Sequence, residues 1–123
     1  MKILLVDDEV ELVSAMAERL GYRGMDADWT GNAEDALVMA GKTGYDVAVL
    51  DMKMPRIGGL ELRRMLSERH PGMRFIFLSG HGSESDFKAG AAEAEHYLIK
   101  PVSLEDLMDK INEAVGRARG GEA

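Results

Sequence analysis

Cysteine is absent from this 123-residue chain, and the chain has neither a long apolar run nor an excess of basic residues. Without cysteine there is no disulfide framework, no thiolate metal site and no cysteine nucleophile. The apolar run near the amino terminus meets Asp7 after a few residues, which is too short for a signal peptide, and nothing approaches the length of a membrane span. We therefore expect a soluble cytoplasmic protein that makes no membrane contact.

The excess of acidic residues also indicates which kinds of partner the protein binds. A net charge of −7 argues against direct contact with nucleic acid, because the phosphate backbone favours a positive protein surface. Other proteins are the more plausible partners. The length suits one domain, and no repeat or internal linker divides the chain. After about Gly116 the sequence turns to arginine and paired glycine, so we expect one domain over residues 1–118 and a flexible tail or the start of a linker over residues 119–123.

Strand-like and helix-like segments alternate along the whole chain. Short apolar runs predict strands at residues 2–6, 22–29, 46–50, 74–78 and 96–99. Helical spacing predicts helices at residues 9–20, 32–40, 60–69 and 84–94, and a last helix that Ser103 caps. The pattern predicts an α/β fold, a doubly wound five-stranded parallel sheet covered by helices on both faces.

Residues suited to phosphoryl chemistry follow four of the five predicted strands. They are Asp7 and Asp8 after the first strand, Asp51 after the third, Ser79 after the fourth and Lys100 after the fifth. The carboxyl ends of parallel strands line one crevice, so these side chains are expected to converge. Three carboxylates would repel one another without a cation, and Mg²⁺ is a hard ion that takes oxygen ligands.

Each acidic residue also has a plainer interpretation. Asp7 and Asp8 could simply cap the following helix and complement its dipole. Asp51 follows a strongly apolar strand, and a carboxylate at the mouth of the crevice can attack phosphorus to form an aspartyl phosphate. Alternatively, Asp51 is an ordinary turn residue before Pro55.

Lys100 and Pro101 form the last element of the predicted site. Lys100 could neutralise a phosphoryl oxygen as a compact point charge, or it could be a solvated lysine at a strand end. The bond between Lys100 and Pro101 is a candidate cis peptide, because only an X-Pro bond adopts the cis form cheaply.

Together these residues resemble the receiver domain of two-component response regulators, including the chemotaxis receivers. The resemblance covers residues 2–115 and rests on Asp7, Asp8, Asp51, Ser79 and Lys100, supported by Met54-Pro55, Gly59 and Pro101. It implies a flavodoxin-like (β/α)5 fold with the strand order 2-1-3-4-5.

The resemblance implies a phosphorylation site centred on Asp51. This residue would accept a phosphoryl group from a histidine of a sensor histidine kinase or a phosphotransfer protein. Mg²⁺, or Mn²⁺ in its place, would be held by Asp8, Asp51 and the backbone carbonyl of Lys53, with Asp7 acting through a metal-bound water. Such a domain is a phosphoacceptor rather than an enzyme, since it catalyses only its own phosphoryl transfer and dephosphorylation.

The resemblance also implies a conformational switch. Lys100 and Ser79 would contact the phosphoryl oxygens, and movement of Ser79 would be coupled to inward rotation of Tyr97. The altered face would act on a downstream output domain or protein, and a homodimer formed on phosphorylation stays open. From the residues alone, Tyr97 is more simply a packing aromatic. Lys53 and His81 occupy positions that tune dephosphorylation in relatives.

Some features depart from the family pattern. Ser79 replaces the commoner threonine, the segment from Ser79 to Lys100 is about one residue short, and Glu93-Ala94 replaces a Gly-Ala pair, which bears on the fourth helix. Two other functions stay open. A haloacid-dehalogenase-type phosphatase would have a second acid where this chain has Lys53, and a receiver-like binding module would never be phosphorylated.

Overall fold

Five parallel strands alternate with helices in the computed structural model, which describes residues 1–80 and 96–116. The strands are β1 (Lys2–Val6), β2 (Asp26–Thr30), β3 (Val47–Asp51), β4 (Arg74–Ser79) and β5 (Tyr97–Ile99). The helices among the described residues are α1 (Val10–Tyr22), α2 (Ala33–Lys42), α3 (Gly59–Arg69) and α4 (Leu104–Ala114). All strand pairs are parallel and the order is β2-β1-β3-β4-β5. The predicted five-stranded parallel sheet and its order 2-1-3-4-5 are confirmed.

Three sequence predictions fall outside the described residues. They are the helix at 84–94, His81 and the tail at 119–123. Within the part of the chain that the structure describes, no helix is both long enough and apolar enough to cross a membrane.

The sheet is apolar on both faces because helices cover both of them. Successive side chains of β1 point to opposite sides, so Ile3 and Leu5 pack with α1 and α4, whereas Leu4 and Val6 pack with α2 and α3. All four of these side chains are buried. The sheet therefore separates two cores and fixes the direction in which each strand end points.

The predicted strand at residues 22–29 begins too early. Tyr22 belongs to α1, where its hydroxyl donates to Glu18 at 3.0 Å, one helical turn back. An i,i+4 pair of this kind favours continuing the helix. The chain leaves the helix at Gly24, which has a φ of 84°, and the backbone N–H of Met25 donates to the carbonyl of Leu20 at 2.9 Å. β2 therefore starts only at Asp26.

Polar side chains cap two of the helices, and the cap at Ser103 is the one that the sequence predicted. Asn32 accepts a hydrogen bond from the backbone N–H of Asp35 at 2.8 Å, and Ser103 accepts one from that of Asp106 at 3.0 Å. Each cap satisfies a backbone donor that the helix itself leaves without an acceptor. The Ser103 cap fixes the start of α4, a few residues after Lys100.

Gly59 lets α3 begin directly against the end of β3. A Cβ atom at Gly59 would overlap the backbone carbonyl oxygen of Asp51 and lie 2.9 Å from its carbonyl carbon. The backbone N–H of Gly59 donates to the carbonyl of Met52 at 3.1 Å. Glycine is therefore required here by close approach of two backbone segments, and it sets the path of the chain that follows Asp51.

Candidate functional site

The ends of β1, β3 and β4 place three polar residues side by side. Asp7 follows β1, and its backbone N–H donates to the carbonyl of Thr30 at 3.1 Å. Asp51 is the last residue of β3 and Ser79 the last residue of β4. Only 3% of Asp7, 5% of Asp51 and 1% of Ser79 is exposed. Buried polar side chains at strand ends are typical of a binding site in an open α/β sheet.

Three carboxylates meet at this edge of the sheet. Asp7, Asp8 and Asp51 each offer an oxygen, and these oxygens lie within 4.8 Å of one another. Asp7 and Asp51 are buried while Asp8 is exposed, so the cluster opens to solvent on one side. A set of hard oxygen donors with solvent access suits Mg²⁺, which usually keeps several waters. The residues present therefore fit a magnesium ion.

Lys100 supplies the positive charge at this site. Its Nζ lies 2.8 Å from Oδ2 of Asp7 and 3.5 Å from Oδ1 of Asp51. Its backbone N–H donates to the carbonyl of Ser79 at 2.7 Å, which holds the end of β5 beside the end of β4. The peptide bond between Lys100 and Pro101 is cis. The structure thus brings Lys100 together with the acidic residues predicted to share its site.

The sequence prediction missed Glu9 as a member of this cluster. Oε1 of Glu9 lies 2.9 Å from Nζ of Lys100, and the backbone N–H of Glu9 donates to Oδ1 of Asp7 at 3.0 Å. The only signal in the sequence was that Glu9 directly follows the two aspartates. An acid in that position is also an ordinary feature of a helix start, so its position offered no reason to expect a contact between Glu9 and Lys100.

The surroundings of Asp51 raise the pKa of its carboxyl group. Burial, and after it the negative charge of Asp7, raises the pKa of Asp51 to about 7. The Lys100 ammonium and the backbone N–H of Lys53, at 3.5 Å from Oδ1, act in the opposite direction. Burial alone would lower the pKa of Lys100, but its hydrogen bonds to Asp7 and Glu9 raise that pKa overall. Lys100 is therefore a cation at neutral pH, and its charge partly offsets the effect of burial and of Asp7 on the pKa of Asp51.

Ser79 and Tyr97 occupy adjacent strands at the same end of the sheet. The Ser79 hydroxyl donates to the carbonyl of Gly80 at 3.4 Å, a long hydrogen bond. Tyr97 is partly buried and pairs with Phe77 across the strands, with the ring centroids 6.3 Å apart and the rings edge to face. This position agrees with the packing interpretation of Tyr97, while the coupling of its movement to Ser79 stays a prediction.

A family model described as the response regulator receiver domain matches residues 3–112. The chain belongs to this family. Receiver domains are phosphoacceptor signalling domains of two-component systems, and they generally bind Mg²⁺ at an acidic pocket. The resemblance stated from the site residues is thereby confirmed.

Curated relatives of this receiver domain are about twice its length. It is 34% identical over 121 residues to the two-component response regulator PhoP of Pseudomonas aeruginosa, a match that covers 98% of this chain and 54% of PhoP. It is 33% identical over 119 residues to the transcriptional regulatory protein TrcR of Mycobacterium tuberculosis, which covers 96% of this chain and 46% of TrcR. The chain spans about half the length of the curated relatives it matches.

Solved structures give the same fold. The receiver domain protein of Clostridium thermocellum aligns with a TM-score of 0.84 and 31% identity, and the alignment covers 94% of each chain. A CheY-like receiver domain protein of Methanospirillum hungatei aligns with a TM-score of 0.84 and 28% identity, covering 94% of this chain and 93% of that one. The flavodoxin-like architecture is thus shared over nearly the whole length.

Proposed function

We propose that Asp51 accepts a phosphoryl group, in a Mg²⁺-dependent reaction, from a phosphohistidine on a sensor histidine kinase or a phosphotransfer protein. The observation that carries this proposal is the grouping of Asp51 with Asp7, Asp8 and Lys100 at one edge of the sheet. A buried nucleophilic carboxylate is flanked there by metal-binding oxygens on one side and by an ammonium on the other. No other cluster among the described residues combines these three elements.

The transfer itself asks little covalent chemistry of the protein. An oxygen of the Asp51 carboxylate forms a bond to phosphorus while the bond between phosphorus and the donor histidine nitrogen breaks. The electron pair of that bond leaves with the nitrogen, which takes up a proton from solvent. Asp51 must be ionised to attack, and the Lys100 ammonium favours its ionised form because it lowers the pKa of Asp51.

Charge compensation is the main contribution of the surrounding residues. Bound by Asp8, Asp51 and the Lys53 carbonyl, with Asp7 acting through a water, Mg²⁺ would offset the charge that accumulates on the phosphoryl oxygens. Mn²⁺ would serve in its place. Lys100 lies close enough to Asp51 to pair with the new phosphoryl group. The carboxylates and Lys100 already lie beside Asp51 before the reaction, so only small movements are needed to stabilise the transition state.

The output of the domain would follow from movement at Ser79 and Tyr97. Among the residues that the structure describes, the Ser79 hydroxyl makes one long hydrogen bond, to Gly80, and exchanging that bond for one to a phosphoryl oxygen costs little. Tyr97 would then turn inward, and the changed face would act on an output domain or protein. We place the receiver domain at residues 1–118 with a tail or linker after it, and a homodimer of the phosphorylated form is one way to produce output.

The lifetime of the phosphorylated state would depend on residues at the rim of the site. Lys53 follows Asp51 by two positions, and its side chain is exposed. His81, which lies outside the described residues, belongs to the same proposed set. Both would act by controlling the access of water to the aspartyl phosphate. We also propose that this domain makes no direct contact with nucleic acid, because its net charge is −7.

An adduct on Asp51 tests this function. We expect acetyl phosphate with Mg²⁺ to add the mass of one phosphoryl group to the intact protein, and peptide mapping after borohydride reduction to place it on Asp51. Asp51→Asn should remain unmodified. Asp26→Asn, which changes an exposed acid at the far end of the sheet, should be modified like wild type.

The alternative functions give different results in the same assay. Continued turnover of a phosphoester without a stable adduct would favour a phosphatase of the haloacid-dehalogenase type. No adduct and no response to beryllofluoride would favour a binding module that is never phosphorylated. Modification of Asp51→Asn at the wild-type rate would contradict the assignment of the acceptor residue.

A further inference from the structure

We propose that Glu9 is a positioning residue for Lys100, holding its ammonium beside Asp7 until a phosphoryl group on Asp51 competes for it. The inference rests on the proposed function, since it concerns how Lys100 becomes available to the phosphoryl group. Glu9 is not among the three carboxylates that fit a metal ion. Its effect would be exerted entirely through Lys100.

The distances show where the ammonium is held in the absence of phosphate. Nζ of Lys100 lies 2.8 Å from Asp7 and 2.9 Å from Glu9, but 3.5 Å from Asp51. An ammonium has three N–H donors, and two of them are used at hydrogen-bond distance by Asp7 and Glu9. Lys100 is therefore held mainly by the two acids at the start of α1 and only loosely by the phosphoacceptor.

Glu9 takes part in α1 through its backbone alone, since its carbonyl accepts a hydrogen bond from the backbone N–H of Val13 at 3.0 Å. It occupies the N-cap position of α1, with φ −80° and ψ 79°, yet its side chain makes no capping hydrogen bond. Its backbone N–H is already bonded to Asp7. The carboxylate instead reaches Lys100, 91 residues away in the sequence, and joins the start of α1 to the end of β5.

Of the two acids that bind Lys100, Glu9 is the one that a phosphoryl group would displace, because it is the more exposed. The side chain of Glu9 is 59% exposed, whereas that of Asp7 is 5% exposed. Water screens the pair with Glu9 far more than the pair with Asp7. A phosphoryl group on Asp51 would place up to two negative charges where the ionised carboxylate carried one, and its oxygens would extend towards Lys100. It would therefore displace Glu9 from Lys100 while Asp7 keeps its hydrogen bond.

Competition predicts that removing the Glu9 carboxylate favours the phosphoryl-bound state. In the 123-residue chain with Mg²⁺, Glu9→Gln should bind beryllofluoride roughly three- to fivefold more tightly than wild type, the range that a half-exposed ion pair allows. Glu11→Gln is the matched control, because Glu11 is an exposed glutamate in the first turn of α1. It removes the same charge two residues away and should change the affinity less than about twofold. Glu9→Asp keeps the charge on a shorter side chain and should fall between wild type and Glu9→Gln.

A second measurement follows Lys100 without any phosphoryl analogue. With ¹³C-labelled lysine, the ε-methylene NMR signal of Lys100 is assigned by its absence in Lys100→Met. We expect this signal to shift in Glu9→Gln and to stay unchanged in Glu11→Gln. A merely structural role of Glu9 in starting α1 would leave the signal in place.

The possible failures are distinguishable. Failure of wild type to bind beryllofluoride would overturn the proposed function together with the role of Glu9. Binding by wild type with equal or weaker binding by Glu9→Gln would overturn only the role of Glu9. An unmoved Lys100 signal in Glu9→Gln would do the same, whatever the affinities.

Discussion

Two clusters of lysine and aspartate lie at opposite ends of the same sheet, and they differ mainly in burial. At the amino end, Nζ of Lys2 lies 3.0 Å from Asp26 and 3.5 Å from Asp28. At the carboxyl end, Lys100 makes contacts of similar length with Asp7 and Asp51. At the amino end the exposed fractions of the side chains are 30% for Lys2, 63% for Asp26 and 38% for Asp28. At the carboxyl end the exposed fraction is 17% for Lys100 and lower for Asp7 and Asp51.

The comparison shows that burial, more than residue type, decides what an acid and a lysine can do together. Around Lys2, water screens the charges. Asp26 and Asp28 lie on the edge strand β2, where exposed charge discourages pairing with another chain, and Lys2 reaches them from the neighbouring strand β1. Around Lys100, the same residue types are shielded from water, and the pKa of Asp51 rises to about 7. Of these two clusters, only the buried one offers the unscreened charges on which the proposed phosphoryl transfer depends.

Removing each lysine is the strongest way to test this difference. Lys100→Met keeps the length of the side chain but leaves Asp7 and Asp51 buried without their cation. We expect it to lower the free energy of unfolding at pH 8, without Mg²⁺, by about 3 kcal/mol. Urea denaturation followed by circular dichroism measures this value.

Lys2→Met is the matched control at the amino end. It should cause a much smaller change, because solvent replaces the lost interactions with Asp26 and Asp28. Equal losses from the two substitutions would mean that the burial of the carboxyl-end cluster has no energetic consequence.

Asp51→Asn sharpens the comparison through its pH dependence. The pKa of Asp51 is raised from 3.8 to about 7 in the folded state. Between these values the unfolded chain loses the proton first, so the raised pKa costs wild type stability as pH increases, and the full cost is present above pH 7. Asp51→Asn carries no such cost. The whole shift corresponds to about 4 kcal/mol, and solvent at the open side of the cluster screens part of it, so Asp51→Asn should be more stable than wild type by about 2 kcal/mol at pH 8 and should lose this advantage towards pH 4.

Asp26→Asn provides the exposed counterpart to that experiment. Its stability should run parallel to that of wild type between pH 4 and pH 8, because water surrounds most of the Asp26 side chain. Urea midpoints measured across this range decide the matter. A pH-independent difference between Asp51→Asn and wild type would contradict the assigned cause, which is the burial of a charge beside Asp7.

The ends of the strands were the most predictable part of the molecule. Apolar runs located β1 and β3 to within a residue, and parallel pairing then required Asp7, Asp51 and Lys100 to meet. The boundary between α1 and β2 was less predictable, because it depends on Gly24 and on a side-chain pair within the helix rather than on apolar periodicity.

Two features of the site needed three-dimensional information. Glu9 binds Lys100, which is 91 positions away in the sequence and lies at the end of β5. No local pattern around Glu9 could therefore identify its partner. Gly59 was noted only as a family feature. Its physical reason is the approach of the α3 backbone to the carbonyl of Asp51, which is a contact between two elements and leaves no trace in the composition of either.

The smallest expected effect is the stabilisation of the folded protein by Mg²⁺, which should depend on the carboxyl-end cluster and not on the amino-end cluster. At about ten times its dissociation constant, a ligand that binds only the folded state adds about 1.4 kcal/mol of stability, which corresponds to a rise of roughly 5 °C in the melting temperature of a domain this size. Asp8→Asn should abolish the rise while leaving the fold intact, because Asp8 is the exposed member of the carboxylate cluster. Asp26→Asn should keep it. If the rise instead survived in Asp8→Asn and disappeared in Asp26→Asn, the ion would bind at the amino end, and burial would no longer explain which cluster is functional.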